Sequence, residues 1–98
     1  MLREEIGYAA MLEQTAEECS ELAQACLKLA RFMRGENPTP KPPEEIFENI
    51  YEEVADVQIC IDELDVDLGR VAHWKDFKVQ RMKQRIKEWR KDRERRSS

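Results

Sequence analysis

The chain reads as an all-α protein: a bundle of about three long helices, with room for a further short one, completed by oligomerisation. Three observations predict it. Charged residues make up 39% of the sequence, while it contains only three Gly and four Pro. That profile suits long helices with solvated faces, not a sandwich or barrel. Apolar residues recur at 3-4 spacing over long stretches. All four prolines fall in one segment, so the rest is free of helix breakers.

The first helix is expected over residues 3–33, reading through Gly7. Its stripe from Cys19 onward comprises Leu22, Ala23, Cys26, Leu27, Leu29, Ala30 and Met33. Arg31 and Arg34 in the last turn, followed by Gly35, suit a helix C-terminus. Residues 35–43 form a Pro-rich connector, expected to pack over the first two helices. Pro43 suits the first turn of a second helix, with Glu44 and Glu45 near its positive end. Ile46, Phe47, Ile50, Val54, Val57, Ile61 and Leu64 form its apolar stripe. Asp65-Val66-Asp67 is a turn, and Asp67 is an N-cap candidate for a third helix. That helix runs from about Leu68 to about Arg93 around Val71, Trp74, Val79, Met82, Ile86 and Trp89, leaving 94–98 as a frayed tail.

With 98 residues the chain makes one domain, residues 1–98. Long helices in so short a chain bury little surface alone, which predicts a homo-oligomer. No run reaches the roughly 20 apolar residues of a membrane span, and no signal-peptide core lies near Met1. Cys19, Cys26 and Cys60 are odd in number and show no CxxC spacing. They read as core thiols in a reducing cytoplasm, with Cys19 and Cys26 on the buried stripe. The net charge of -4 is unevenly spread: residues 1–69 carry -12 and residues 70–98 carry +8. The halves either attract one another within the assembly or provide a polyanion site.

Two acidic motifs stand out. Glu18 and Glu21 are three residues apart on the first helix, and Glu53 and Asp56 repeat the spacing on the second. Acids on a helix usually form a solvated face. Turning each helix by about 100° per residue changes that reading here. Glu53 falls inside the apolar arc, between Ile46 and Cys60, and Glu18 lies at the edge of its own arc, beside Leu22 and Leu29. Each partner acid lies roughly 60° further round. Uncompensated carboxylates at a core boundary are costly, and no Lys or Arg shares either arc. A divalent cation with oxygen ligands is the natural counter-charge, Mg²⁺ in particular. A structural bridge from Glu53 to a cation of the third helix is the alternative. His73 is the single histidine and reads as a surface residue, so no soft-metal set exists.

The run Glu17-Glu18-x-x-Glu21 followed by Glu53-x-x-Asp56 resembles the signature of the all-α nucleoside triphosphate pyrophosphatases, in particular the single-domain MazG-like group. Glu17 to Ala25, Arg34 to Pro38, Glu52 to Val57 and the Lys78, Arg81, Arg85 triplet carry the likeness. It spans about Glu13 to about Arg85. The roughly thirty residues between the motifs are long for the family, which the Pro-rich connector explains. The resemblance implies an Mg²⁺-dependent enzyme, with Mn²⁺ as substitute, that cleaves nucleoside triphosphates between the α and β phosphates. The products are a nucleoside monophosphate and pyrophosphate. Residue by residue, it makes Glu18, Glu21, Glu53 and Asp56 the metal ligands, and Glu17 the acid that orients or deprotonates the attacking water. Lys78, Arg81 and Arg85, spaced 3 and 4 apart, are the phosphate contacts, and Gln14 is a nucleotide contact. A homodimer or a dimer of dimers is implied. Two competing readings remain. One is a phosphoribosyl-ATP pyrophosphatase on the same scaffold. The other is a non-enzymatic helical module that binds nucleic acid or a partner through the basic last helix. Trp74, Phe77 and Trp89 read as a core or dimer seam before a base-stacking platform.

Overall fold

The computed structural model describes residues 1–36 and 41–97. It is all-α, with four helices and no strand among the described residues. Helix α1 spans Leu2–Ile6, α2 Tyr8–Met33, α3 Pro43–Leu64 and α4 Leu68–Ser97. The chain divides into two compact units, Met1–Asp65 and Val66–Ser98.

The first unit is an antiparallel hairpin of α2 and α3, with α1 across its open end. The long helix expected over 3–33 is broken at Gly7, which has φ 88° and ψ 157°. Those angles lie in territory only glycine occupies without strain, so the turn between α1 and α2 depends on this residue. Glu63 of α3 then holds α1 in place. Its carboxylate accepts from the Leu2 and Arg3 backbone N–H groups at 3.4 and 3.1 Å. The Tyr8 hydroxyl donates to the Leu64 carbonyl at 3.1 Å, and Arg3 pairs with Asp65 at 3.6 Å.

Helix α2 stops at Gly35 as its sequence predicts. Gly35 has φ 69°, its N–H donates to Phe32 O, and the Glu36 N–H reaches back to Arg31 O. This double bond pattern is the Schellman termination. The expected packing of the connector falls partly on residues 37–40, outside the described residues. Helix α3 opens with Pro43 in its first turn, as expected, with Glu44 and Glu45 beside it. It ends at Asp65 in the left-handed region, φ 52°, which a short Asp side chain tolerates.

The core of the hairpin is one narrow seam. Met11 and Ala25 of α2 and Ile46 and Cys60 of α3 are its buried residues. Cys19 and Cys26, expected on the buried stripe, are instead exposed. The hairpin buries one row per helix, and both cysteines lie on the row beside it.

In the second unit, Asp67 caps α4 as expected. Its Oδ1 accepts from the Gly69 and Arg70 N–H groups at 2.9 and 3.2 Å. The helix continues past Arg93 to Ser97, so the tail expected to fray is helical over 94–97. The Ser97 hydroxyl donates to the Arg93 carbonyl at 2.9 Å, and Asp92 pairs with Arg95 at 3.9 Å. Every described residue of α4 is exposed, including Trp74, Phe77, Met82, Ile86 and Trp89. Trp74 and Phe77 meet edge to face at 5.7 Å, and the Arg93 guanidinium sits 4.9 Å from the Trp89 ring.

Candidate metal centre

The core seam places the acids. Glu18 lies seven residues from both Met11 and Ala25, and Glu53 lies seven from both Ile46 and Cys60. Seven residues are two helical turns, so each acid interrupts the single buried row of its helix. The antiparallel hairpin brings these two interruptions to the same level. Glu21 and Asp56, one turn on, point from the rim of the seam toward solvent.

The result is a four-carboxylate cluster. One oxygen from each of Glu18, Glu21, Glu53 and Asp56 lies within 4.8 Å of the others. Glu18 and Glu53 are half-buried, while Glu21 and Asp56 are exposed. The Gln14 side-chain amide donates to Glu18 Oε1 at 2.8 Å, one turn earlier on α2. The other oxygen of that carboxylate, Oε2, is buried and has no hydrogen-bond partner, and the same holds for Glu53 Oε2.

Two facing carboxylates with buried, unpartnered oxygens are an unfavourable arrangement without a cation. The strain shows in Glu18. Loss of water contact raises its pKa above the usual 4.5, and the charges of Glu21 and Asp56 push the same way. The Gln14 hydrogen bond opposes them. The ion pairs Met1–Glu4, Arg3–Asp65, Arg34–Glu36 and Asp92–Arg95 do not reach the cluster. Hard oxygen donors, a net negative charge and orphaned buried oxygens together fit a divalent cation such as Mg²⁺.

The structure therefore brings together five of the sequence-derived candidates: Gln14, Glu18, Glu21, Glu53 and Asp56. Glu17 is exposed on α2, next to Glu18 but outside the cluster. Lys78, Arg81 and Arg85 are exposed on α4, in the second unit. Arg81 lies 5.9 Å from the Phe77 ring. His73, expected at the surface, is exposed there too.

One cavity borders the acids and a second lies further along the hairpin. The first, of about 330 Å³, is lined by Leu2, Ile6, Met11, Gln14, Glu18, Asp56, Ile59 and Cys60. Helix α1 forms one wall, so the Gly7 turn shapes the surroundings of the cluster. Burial raises the Cys60 thiol above its usual value there, despite a hydrogen bond with Thr15. The second cavity, about 440 Å³, is lined by Lys28, Arg31, Lys41, Ile46 and Asn49 together with the acids Glu45, Glu48 and Glu52. Lys28 is seven residues past Glu21, and Asn49 seven before Asp56, so both continue the faces that carry the acids. Arg31 Nε is buried there with no hydrogen-bond partner. Sequence reasoning read Arg31 only as a helix-end cation. The seven-residue offset from Glu21 was the available signal for Lys28.

No family model, curated protein or solved structure matches this chain.

Proposed function

We propose that the four acids hold Mg²⁺, with Mn²⁺ as a substitute, and that the chain is a nucleoside triphosphate pyrophosphohydrolase. It cleaves NTP or dNTP between the α and β phosphates, giving a nucleoside monophosphate and pyrophosphate, in the manner of the MazG-like enzymes its motifs resemble. A role in clearing surplus or non-standard nucleotides in the cytoplasm suits this activity. The carrying observation is the approach of four carboxylates from two facing helices, two of them with buried oxygens that nothing else satisfies.

A divalent cation at this position would screen the triphosphate charge and make a bound water more acidic. The remaining roles belong to side chains. Gln14 fixes one oxygen of Glu18, which leaves the other, buried oxygen without a hydrogen-bond partner. Glu17, exposed and adjacent to Glu18, accepts the proton of the attacking water. The resemblance assigns Lys78, Arg81 and Arg85 to the phosphates and to the departing pyrophosphate. Lys28 and Arg31 line the larger cavity beside Glu45, Glu48 and Glu52. The working unit in this reading is a homodimer or a dimer of dimers.

A pyrophosphate-release assay over a panel of nucleoside triphosphates tests the proposal. Mg²⁺-dependent release of monophosphate and pyrophosphate is expected, with loss in Glu53→Gln. Activity that survives this substitution removes the site assignment. Turnover of phosphoribosyl-ATP alone would select the related biosynthetic enzyme. The exposed, +8 C-terminal stretch supports the nucleic-acid reading, which requires salt-sensitive binding to RNA or DNA and no hydrolysis.

A further inference from the structure

The larger cavity holds both signs of charge. Helix α2 contributes Lys28 and Arg31, and α3 contributes Glu45, Glu48 and Glu52, with Lys41 a third cation of the lining. Neighbours of opposite charge ordinarily pair. Arg31 does not: it takes part in none of the ion pairs among the described residues, and its Nε is buried without an acceptor. A guanidinium N–H removed from water and left unmatched is costly. The three glutamates are exposed and keep their hydration. The cavity therefore lacks an acceptor at Arg31 and offers carboxylate acceptors on the facing helix. A group that carries hydrogen-bond acceptors beside hydrogen-bond donors satisfies both. The cavity volume, about 440 Å³, lies in the range of small-molecule sites. Lys28 and Asn49 are each seven residues from a cluster acid, Glu21 and Asp56, which sets the cavity about 10 Å along the hairpin from the four carboxylates.

We infer that this cavity reads the base of the bound nucleotide and selects guanine. The inference rests on the proposed pyrophosphohydrolase for where the phosphates lie, since a nucleotide with its phosphates at the four acids reaches the cavity with its base. The choice of base rests on the cavity lining. Guanine presents two adjacent acceptors, N7 and O6, next to two adjacent donors, N1–H and the N2 amino group. The Arg31 fork donates to N7 and O6, the bidentate pairing that matches guanidinium geometry, with Lys28 as a second cation on that edge. A carboxylate of α3, from Glu48 or Glu52, accepts from N1–H and the N2 amino group. The other bases leave one side of the cavity unsatisfied. Adenine turns its amino group toward Arg31 and its N1 lone pair toward the carboxylate, like against like. Cytosine meets the same mismatch through N4 and N3. Uracil has a single ring donor, N3–H, between two carbonyls, so a carboxylate beside it also faces an acceptor. A lining of one sign would not discriminate in this way; the presence of both is what makes the cavity a reader of guanine.

Calorimetric titration of the full chain with GMP, AMP, CMP and UMP in the presence of Mg²⁺ measures base recognition without turnover. GMP should bind at least about tenfold more tightly than the other three. Arg31→Met should abolish that preference, and so should Glu48→Gln combined with Glu52→Gln, which alters exposed side chains only. Far-UV helicity identifies a variant that fails to fold, and the glutamine pair keeps the comparison if Arg31→Met is that variant. Equal binding of the four monophosphates, or binding of none, overturns the inference, as does a GMP preference that survives in either folded variant. Pyrophosphate release separates this inference from the reading it rests on. Release at equal kcat/KM from GTP, ATP, CTP and UTP leaves the pyrophosphohydrolase standing and removes guanine selection. Selective GMP binding, lost in the variants, with no pyrophosphate released from GTP supports the guanine site and removes the pyrophosphohydrolase.

Discussion

Glu18 on α2 and Glu53 on α3 occupy equivalent places in the hairpin. Each sits midway between the two buried side chains of its own helix, and each keeps Oε2 buried without a partner. A hairpin of this size has four buried residues among those described, and it spends the centre of both rows on carboxylates. Ordinary packing would place Leu or Ile there. The arrangement is unfavourable unless something positive completes it.

Divalent cation should therefore stabilise the fold. At a free concentration a hundred times the dissociation constant, Mg²⁺ or Mn²⁺ adds about 2.7 kcal/mol. For a domain of this size, Tm should rise by roughly ten degrees or more. Glu53→Gln should lower metal affinity by about a hundredfold or more and erase the shift. Differential scanning fluorimetry with and without chelator reads both effects, and an equal shift in the variant would disprove the ligand assignment.

The same carboxylates give metal-free protein a distinctive pH dependence. The Glu18 pKa is raised in the folded state, by loss of water contact first and then by Glu21. The native state thus holds this proton more tightly than the unfolded chain does. Its contribution to stability is present below the usual 4.5 and is lost as pH rises through the elevated value. Urea unfolding between pH 4 and pH 7 should show wild type losing stability relative to Glu18→Gln as pH increases. Parallel curves for the two proteins would rule out the coupling.

Gly7 sets the wall of the smaller cavity through its backbone. A side chain there meets no atom within 4 Å, so Gly7→Ala introduces no clash. Its φ of 88° is the obstacle, and the substitution should cost about 1–3 kcal/mol. The expected local sign is faster amide exchange at Arg3, whose N–H donates across the hairpin to Glu63, and at Met11, whose N–H donates to the Gly7 carbonyl. Unchanged exchange and unchanged Tm would show that α1 adopts its position without the turn.

Under the proposed function, the cations of α4 would bear on turnover and not on metal binding. Lys78→Ala and Arg81→Ala should each reduce kcat/KM for a nucleoside triphosphate by about tenfold, the scale of one charge-assisted hydrogen bond. The metal-induced rise in Tm should be unaltered. A fall in metal affinity as well would mean these residues act through the cluster.

Much of this was readable from periodicity. Apolar spacing marked α2, α3 and α4, Gly35 and Pro43 marked two of their ends, and Asp67 marked a third. The four acids could be singled out because Glu53 falls within an apolar arc, a local property of one helix. The break at Gly7 was not legible, because one glycine in a periodic stretch is compatible with a continuous helix. It takes Glu63, some sixty residues away, to hold the far side of the turn. The cysteines illustrate the opposite limit. Cys19 and Cys26 lie on an apolar row, but periodicity does not say which of two neighbouring rows the partner helix covers.

Local sequence by itself determined the helical class, the helix ends with capping chemistry and the spacing of the acids, since each depends on interactions within a turn or two. Tertiary structure alone decided that the two acid pairs meet within 4.8 Å, that Glu18 and Glu53 each bury an unpartnered oxygen, and that the row holding Cys19 stays open. Those outcomes depend on how α2 is rotated against α3. That rotation is set by the four side chains packed between them, Met11, Ala25, Ile46 and Cys60, which come from opposite arms of the hairpin.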